Sequence, residues 1–207
     1  MTSPANALLH GPAGPLEAAY RALPGARRVA VLCHSHPQYG GSMYDRVLHR
    51  VACGLHAAGV STLRFNFRGV GDSAGAFDGG DGEADDVRAA IDMAARDHAE
   101  VVLIGFSFGA WVGLRVGAGD PRVGRMVGLG LPVDVFEFAW LTEVRRPLLL
   151  VHGTSDGWGA IDKVRALAAA CGDAVGLAEV PGSDHVFRGH LDAAAAAAVA
   201  FAAADLR

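Results

Sequence analysis

Apolar positions along this chain fall into two alternating patterns. Short continuous runs at Val29–His34 (VAVLCH), Val101–Phe106 (VVLIGF) and Leu148–Val151 (LLLV) predict strands buried on both faces. Val60–Phe67, rich in β-formers, predicts another, and Val123–Leu131 is a further candidate strand. Val175–Val180 predicts a weaker strand, and residues 7–23 one or two edge strands split at Gly11–Pro15. Between the runs, apolar residues recur at helical spacing. Val47, Leu48, Val51 and Leu55 predict a helix over Ser42–Ala58, with Ser42 as its cap and Gly59 as its stop. Further helices are predicted over Glu83–His98, Ser107–Gly117, Ile161–Cys171 and Asp192–Leu206. Strands alternating with helices imply one α/β domain over 1–207, a doubly wound, mostly parallel sheet with helices on both faces.

Composition narrows the function. A net charge of −4 with a single lysine, Lys163, leaves no basic footprint for nucleic acid, and no glycine precedes that lysine as a Walker A loop requires. Cys33, Cys53 and Cys171 are too few and too scattered for a disulfide framework. The opening MTSPANALLHGPAG lacks the charged and long apolar parts of a secretory leader, and the longest apolar run, Ala193–Ala204, is too short to span a bilayer. A cytoplasmic protein without membrane or nucleic-acid partners is the expectation. A mean hydropathy of +0.26 hints at a buried interface such as a homodimer's. Glycine, 28 of 207 residues, is about twice its average usage, so tight turns or close backbone approaches are needed somewhere.

The sharpest chemical signal is Gly105-Phe106-Ser107-Phe108-Gly109, a GxSxG placed where a predicted strand meets a predicted helix. In that context the motif resembles the nucleophile elbow of α/β-hydrolases, in which a turn too tight for side chains at the glycines lifts the serine hydroxyl off the sheet. A serine nucleophile needs a base and an acid to orient it, in the chain order Ser, Asp or Glu, His. Asp156 closes HGTSD just past one strand, and His185 ends GSDH just past the next. Asp134, after Val123–Leu131, is the competing acid. Asp184 adjoins His185 and is expected to point elsewhere; His190 is expected in solvent and His152 in the sheet as a hydrogen-bonded structural residue.

His34-Ser35-His36 admits two readings. On a strand, residues i and i+2 share a face, which would make the histidines a metal pair. The other reading is an oxyanion loop, with the backbone N–H of His36 beside that of Phe108, and Gly40 and Gly41 turning the chain. Gly69-Val70-Gly71-Asp72-Ser73-Ala74 matches GxGxxA, but a dinucleotide fingerprint opens directly into a helix, whereas here more glycines follow.

Together, HSHPQYGGSM (34–43), FNFRGVGDSAG (65–75), GFSFGA (105–110), HGTSD (152–156) and GSDH (182–185) resemble the α/β-hydrolase superfamily. The nearest likeness is to small serine hydrolases of the dienelactone-hydrolase-like branch, over about residues 16–205. The resemblance implies Ser107 as nucleophile, His185 as base and Asp156 as orienter, with no cofactor and no metal. Dienelactone hydrolases usually carry cysteine where this chain has Ser107. Only the 15 residues Pro132–Arg146 separate two predicted strands where many relatives insert a cap domain. An open site for a small or short-chain ester, thioester or lactone is therefore expected. Phe136, Phe138 and Trp140 would either cover that site or pack in the core, and Trp158 would either flank it or lie on the surface. A metal-dependent hydrolase and a non-catalytic binding protein of the same fold are the alternatives.

Overall fold

The computed structural model describes residues 5–205. Residues 1–4, part of the stretch read for a leader, and 206–207, including the expected helix end at Leu206, lie outside them. Eight strands form one sheet in the order β1-β2-β4-β3-β5-β6-β7-β8. They are β1 (Ala5–Gly11), β2 (Gly14–Arg21), β3 (Arg28–Cys33), β4 (Ser61–Phe65), β5 (Glu100–Phe106), β6 (Val123–Leu129), β7 (Leu148–Gly153) and β8 (Val175–Val180). β1 and β2 form an antiparallel hairpin that continues antiparallel onto β4. From β4 to β8 every pairing is parallel.

Period-two alternation splits the continuous apolar strands between two cores. In β3, Val29, Val31 and Cys33 face one side, packed with residues of α2 (Asp81–Ala94), α3 (Phe108–Gly119) and α4 (Ile161–Cys171). Ala30 and Leu32 face the other, packed with α1 (Arg46–Ala57) and α5 (Leu191–Ala203). Burial on both faces is why these strands read as unbroken apolar runs. The sheet is doubly wound, as expected.

Three boundaries differ from the sequence reading in ways that matter for the site. First, α1 begins at Arg46, not Ser42. The residue at its cap position, Asp45, makes no capping bond, because its carboxylate accepts the Ser35 N–H (3.0 Å) and hydroxyl (2.7 Å) instead. Second, β3 stops at Cys33, so His34 and His36 lie beyond the strand and the shared-face argument for a metal pair does not apply. Third, β4 ends at Phe65, and the next residue, Asn66, turns to structural bonding. Its Oδ1 accepts the Met43 N–H (2.7 Å), and its Nδ2 donates to Glu17 (2.6 Å).

The glycine loop 69–80 does not open into a helix at GxGxxA; α2 starts only at Asp81. Gly71 has φ +56, and a Cβ there would lie 2.3 Å from a carboxylate oxygen of Glu17. The close approach allowed by this glycine is to the chain's own carboxylate, which leaves no cradle for a pyrophosphate. No helix among the described residues is long and apolar enough to cross a membrane.

Candidate active site

Ser107 is the single residue between β5 and α3, at φ 56, ψ −120. A non-glycine residue in that region costs of order 1–3 kcal/mol and persists only where its surroundings enforce it. They do so here through backbone contact alone. A Cβ on Gly105 would lie 2.3 Å from the Gly109 carbonyl oxygen, and one on Gly109 2.2 Å from that of Cys33. The Ser107 N–H donates to Leu129 O at the end of β6 (3.0 Å). Phe108, the first residue of α3, sits at the positive end of the helix; its N–H has no intrahelical acceptor, and none is found among the described residues.

Asp156 and His185 lie on neighbouring loops at the carboxyl ends of β7 and β8. Those loops are joined by Ser155 N–H donating to Ser183 O (2.9 Å), with Gly153 packed against the same carbonyl. His185 Nδ1–H donates to Asp156 Oδ2 (2.8 Å), and His185 Nε2 accepts the Ser107 hydroxyl (2.9 Å). A carboxylate can only accept, which places the ring proton on Nδ1 and leaves Nε2 bare toward the serine. The Asp156 side chain is fully buried, and its other oxygen accepts the Trp158 N–H (2.8 Å). Phe187, with φ +54, is completely buried next to His185 and packs on Phe106, which fixes the turn that carries the histidine.

Asp134 is elsewhere. Its carboxylate accepts the Ala160 N–H (2.8 Å) and pairs with Lys163, and both contacts hold its pKa below the usual carboxylate range. Asp184 accepts the Arg188 N–H (2.8 Å), and His190 is exposed. His152 is fully buried: its Nδ1 accepts the Leu131 N–H (3.2 Å) and its Nε2–H donates to Gly159 O (2.7 Å). It thereby ties the loop after β6 to the loop bearing Asp156 and Trp158.

His34 and His36 part company. His34 is buried, with Nε2 accepting the Phe67 N–H (3.0 Å) and Nδ1–H donating to Ser35 O (2.7 Å). Neither nitrogen keeps a free lone pair, so the pair His34/His36 does not form a metal site. Among the described residues no three His, Cys, Asp or Glu side chains cluster to hold a metal ion. The His36 ring packs against Phe77 and Phe108, and its N–H finds no acceptor among the described residues. Gly41 folds under this peptide: a Cβ there would lie 2.2 Å from Ser35 O.

Burial pushes the His34 pKa down to about 4, against some compensation from its bond to Ser35 and from Asp45. A histidine depressed in the folded state binds its proton more readily when unfolded. Its contribution is present above about pH 6.5 and is lost as the pH falls toward 4. A loss on the order of 2 kcal/mol is expected between pH 7.5 and pH 5. Thermal melts of wild type and His34→Asn at both pH values check it. An equal drop in the two proteins would count against it.

Around Ser107 is a cavity of about 560 Å³. Phe106, Phe108, Phe136, Pro132 and His36 form its walls, and Tyr39, Val135, Trp158 and Val186 its exposed rim. No Asp, Glu, Lys or Arg lines it among the described residues. The three aromatics of the 132–146 segment divide. Phe136 lines the cavity and stacks on Trp111 (4.5 Å, 15°), Phe138 is buried in the core, and Trp140 stacks on Phe138 away from the site. The segment supplies one wall and a short 3-10 turn (Ala139–Glu143), with no cap domain. Trp158 flanks the site, 6.1 Å from the His185 ring. Asp45, the Phe106 wall and the Val186 rim escaped the sequence reading. The predicted helix over Ser42–Ala58 places Asp45 in its first turn, where a carboxylate needs no further role.

A strand–serine–helix elbow beneath an open cavity, on a doubly wound sheet, defines a class, and the chain belongs to it: the α/β-hydrolase superfamily, in its form without a cap. A serine hydrolase without lid from Xanthomonas campestris is 33% identical, with 97% of this chain and 93% of that one covered at a TM-score of 0.85. An α-β serine hydrolase homologue from Coxiella burnetii is 32% identical, covering 96% and 97% at a TM-score of 0.86. An uncharacterized protein of Rickettsia prowazekii is 30% identical over 191 residues, 86% of this chain and 80% of that protein. No protein-family model matches the chain. These relatives support a hydrolase function.

Proposed function

We propose that the protein is a cytoplasmic serine esterase that cleaves small, neutral carboxylic esters, or related thioesters and lactones, through an acyl-enzyme. The observation that carries this is the pair of bonds at His185, to Ser107 on one nitrogen and to buried Asp156 on the other. Ser107 Oγ attacks the acyl carbonyl as its proton passes to His185 Nε2. Asp156 holds the reactive tautomer and stabilises the imidazolium. The N–H groups of Phe108 and His36 bind the oxyanion, where preorganised donors act on charge that develops only in the transition state. His185 then protonates the leaving group, and water, activated by the same base, releases the acid. The apolar lining suits uncharged groups, and 560 Å³ falls within the range of small-ligand sites.

A fluorophosphonate probe with peptide mass mapping tests the mechanism. The expected adduct is on Ser107 and is lost in His185→Ala; an adduct elsewhere, or none, rejects the reading. A panel of p-nitrophenyl esters then tests substrate size. Acetate and butyrate are expected to outpace decanoate, and the reverse order would count against a small-ester enzyme. The choice of acid has its own test. Asp156→Asn is expected to lower kcat by about 10³–10⁴-fold, because the wrong tautomer is favoured. Asp134→Asn should stay within about twofold, since its carboxylate serves Lys163 and Ala160. Steady-state kinetics of the two variants separates the candidates, and a large loss in Asp134→Asn would reverse the assignment.

A further inference from the structure

In the His-Ser-His motif the proposed mechanism uses only a backbone N–H of the second histidine. The first, His34, is wholly buried and does not reach the cavity. Its two bonds fix its tautomer without ambiguity. The Phe67 N–H can only donate, so Nε2 must be bare; the Ser35 carbonyl can only accept, so Nδ1 must carry the proton. That carbonyl belongs to the same peptide unit as the His36 N–H. In a trans peptide the C=O and N–H point in opposite directions, and no cis peptide occurs among the described residues. Whatever holds Ser35 O on one side therefore turns the His36 N–H to the other.

We propose that His34 is a positioning residue for the oxyanion site: its Nδ1–H, holding the Ser35 carbonyl, aims the His36 N–H at the oxygen of the substrate's acyl carbon as Ser107 attacks it. The inference rests on the esterase reading above. Two further contacts clamp the same unit. Asp45 accepts both the N–H and the hydroxyl of Ser35, which fixes the preceding peptide. Gly41 lies against Ser35 O with no room for a side chain, so the carbonyl cannot swing that way. Burial, which holds the His34 ring neutral down to about pH 4, preserves both bonds at neutral pH. Asp45 is the charged group acting on it.

Two substitutions separate the bonds. His34→Asn keeps an N–H close to the position of Nδ1 and can still hold Ser35 O. His34→Gln reaches the position of Nε2 and can still accept from Phe67. His34→Leu does neither. With p-nitrophenyl acetate, kcat is expected to fall ten- to a hundredfold in His34→Gln and His34→Leu at nearly constant KM, and less than tenfold in His34→Asn. Retention in Gln with loss in Asn would overturn the proposal, as would unchanged kcat in Leu or a loss confined to KM. Nitrogen NMR of the wild-type protein gives a readout that needs no variant. His34 is expected protonated on Nδ1 and bare on Nε2 at pH 7, and the opposite tautomer overturns the proposal. Fluorophosphonate labelling of wild type runs beside these measurements. No label at Ser107 rejects the esterase reading, whereas normal labelling with unchanged kcat in the variants rejects the role of His34 alone.

Discussion

Ser107→Ala is expected to lower kcat by about 10⁴–10⁶-fold while leaving the melting temperature within 2 °C of wild type. The two halves of this result have separate causes. In the proposed mechanism the hydroxyl is the attacking atom, and Ser35, the other serine lining the cavity, donates its hydroxyl to Asp45. The backbone at φ 56 is strained by the presence of a Cβ, and alanine keeps that Cβ. Ser107→Gly removes it and is expected to be equally inactive but more stable than wild type, by about 1 kcal/mol. Steady-state kinetics and calorimetry on both variants check the pair. An alanine variant with more than a tenth of wild-type activity would place the nucleophile elsewhere. A glycine variant less stable than the alanine one would show that the elbow is not strained.

The sheet and its carboxyl-edge loops were legible in the sequence because burial on both faces writes itself as continuous apolar runs. The loops bearing Ser107 and Asp156 follow directly from where those runs stop, and the one bearing His185 from the end of the weaker strand Val175–Val180. Other features depended on contacts that leave no local trace. Asp134 and Asp156 both follow strands, and what separates them is that Lys163 and Ala160 occupy the first while His185 and Trp158 N–H occupy the second. The strand carrying VAVLCH was read one residue too long. Its pairing with β5 ends at Cys33 opposite Gly105, after which Ser35 N–H turns to Asp45 instead of a neighbouring strand. That one-residue difference moves His34 from an imagined metal pair into a purely internal bonding role. Phe136, Phe138 and Trp140 could not be sorted because a 3-10 turn begins between Phe138 and Trp140, at Ala139, sending residues two apart to the cavity, the core and a half-buried flank of the core without periodicity.

Gly109→Ala is expected to be a severely damaging single-methyl change, lowering stability by about 3 kcal/mol, or roughly 10 °C in melting temperature. The added Cβ would lie 2.2 Å from Cys33 O and 2.4 Å from His34 O, and both neighbours are backbone. No flexible side chain can give way, so α3 or the end of β3 must move. Phe108 N–H, the first proposed oxyanion donor, heads α3, and His36 N–H, the second, lies on the loop that leaves β3. Any shift that accommodates the methyl therefore separates them, and kcat is expected to fall at least a hundredfold in whatever fraction still folds. Gly157→Ala is the matched control. It lies beside Asp156 in the same site, yet a Cβ there meets nothing within 4 Å, and it should change stability by less than about 0.5 kcal/mol. Melting curves and kinetics of the two variants distinguish glycines that permit backbone contact from glycines that merely occupy loops. If Gly109→Ala melts within 2 °C of wild type with kcat within threefold, the elbow and the His34–His36 loop are not rigidly coupled. The aim of the His36 N–H would then have to be set without α3. The excess of glycine in this chain is thus concentrated in its effect at a few positions, where the absence of a side chain lets two loops from different strands share the proposed catalytic geometry.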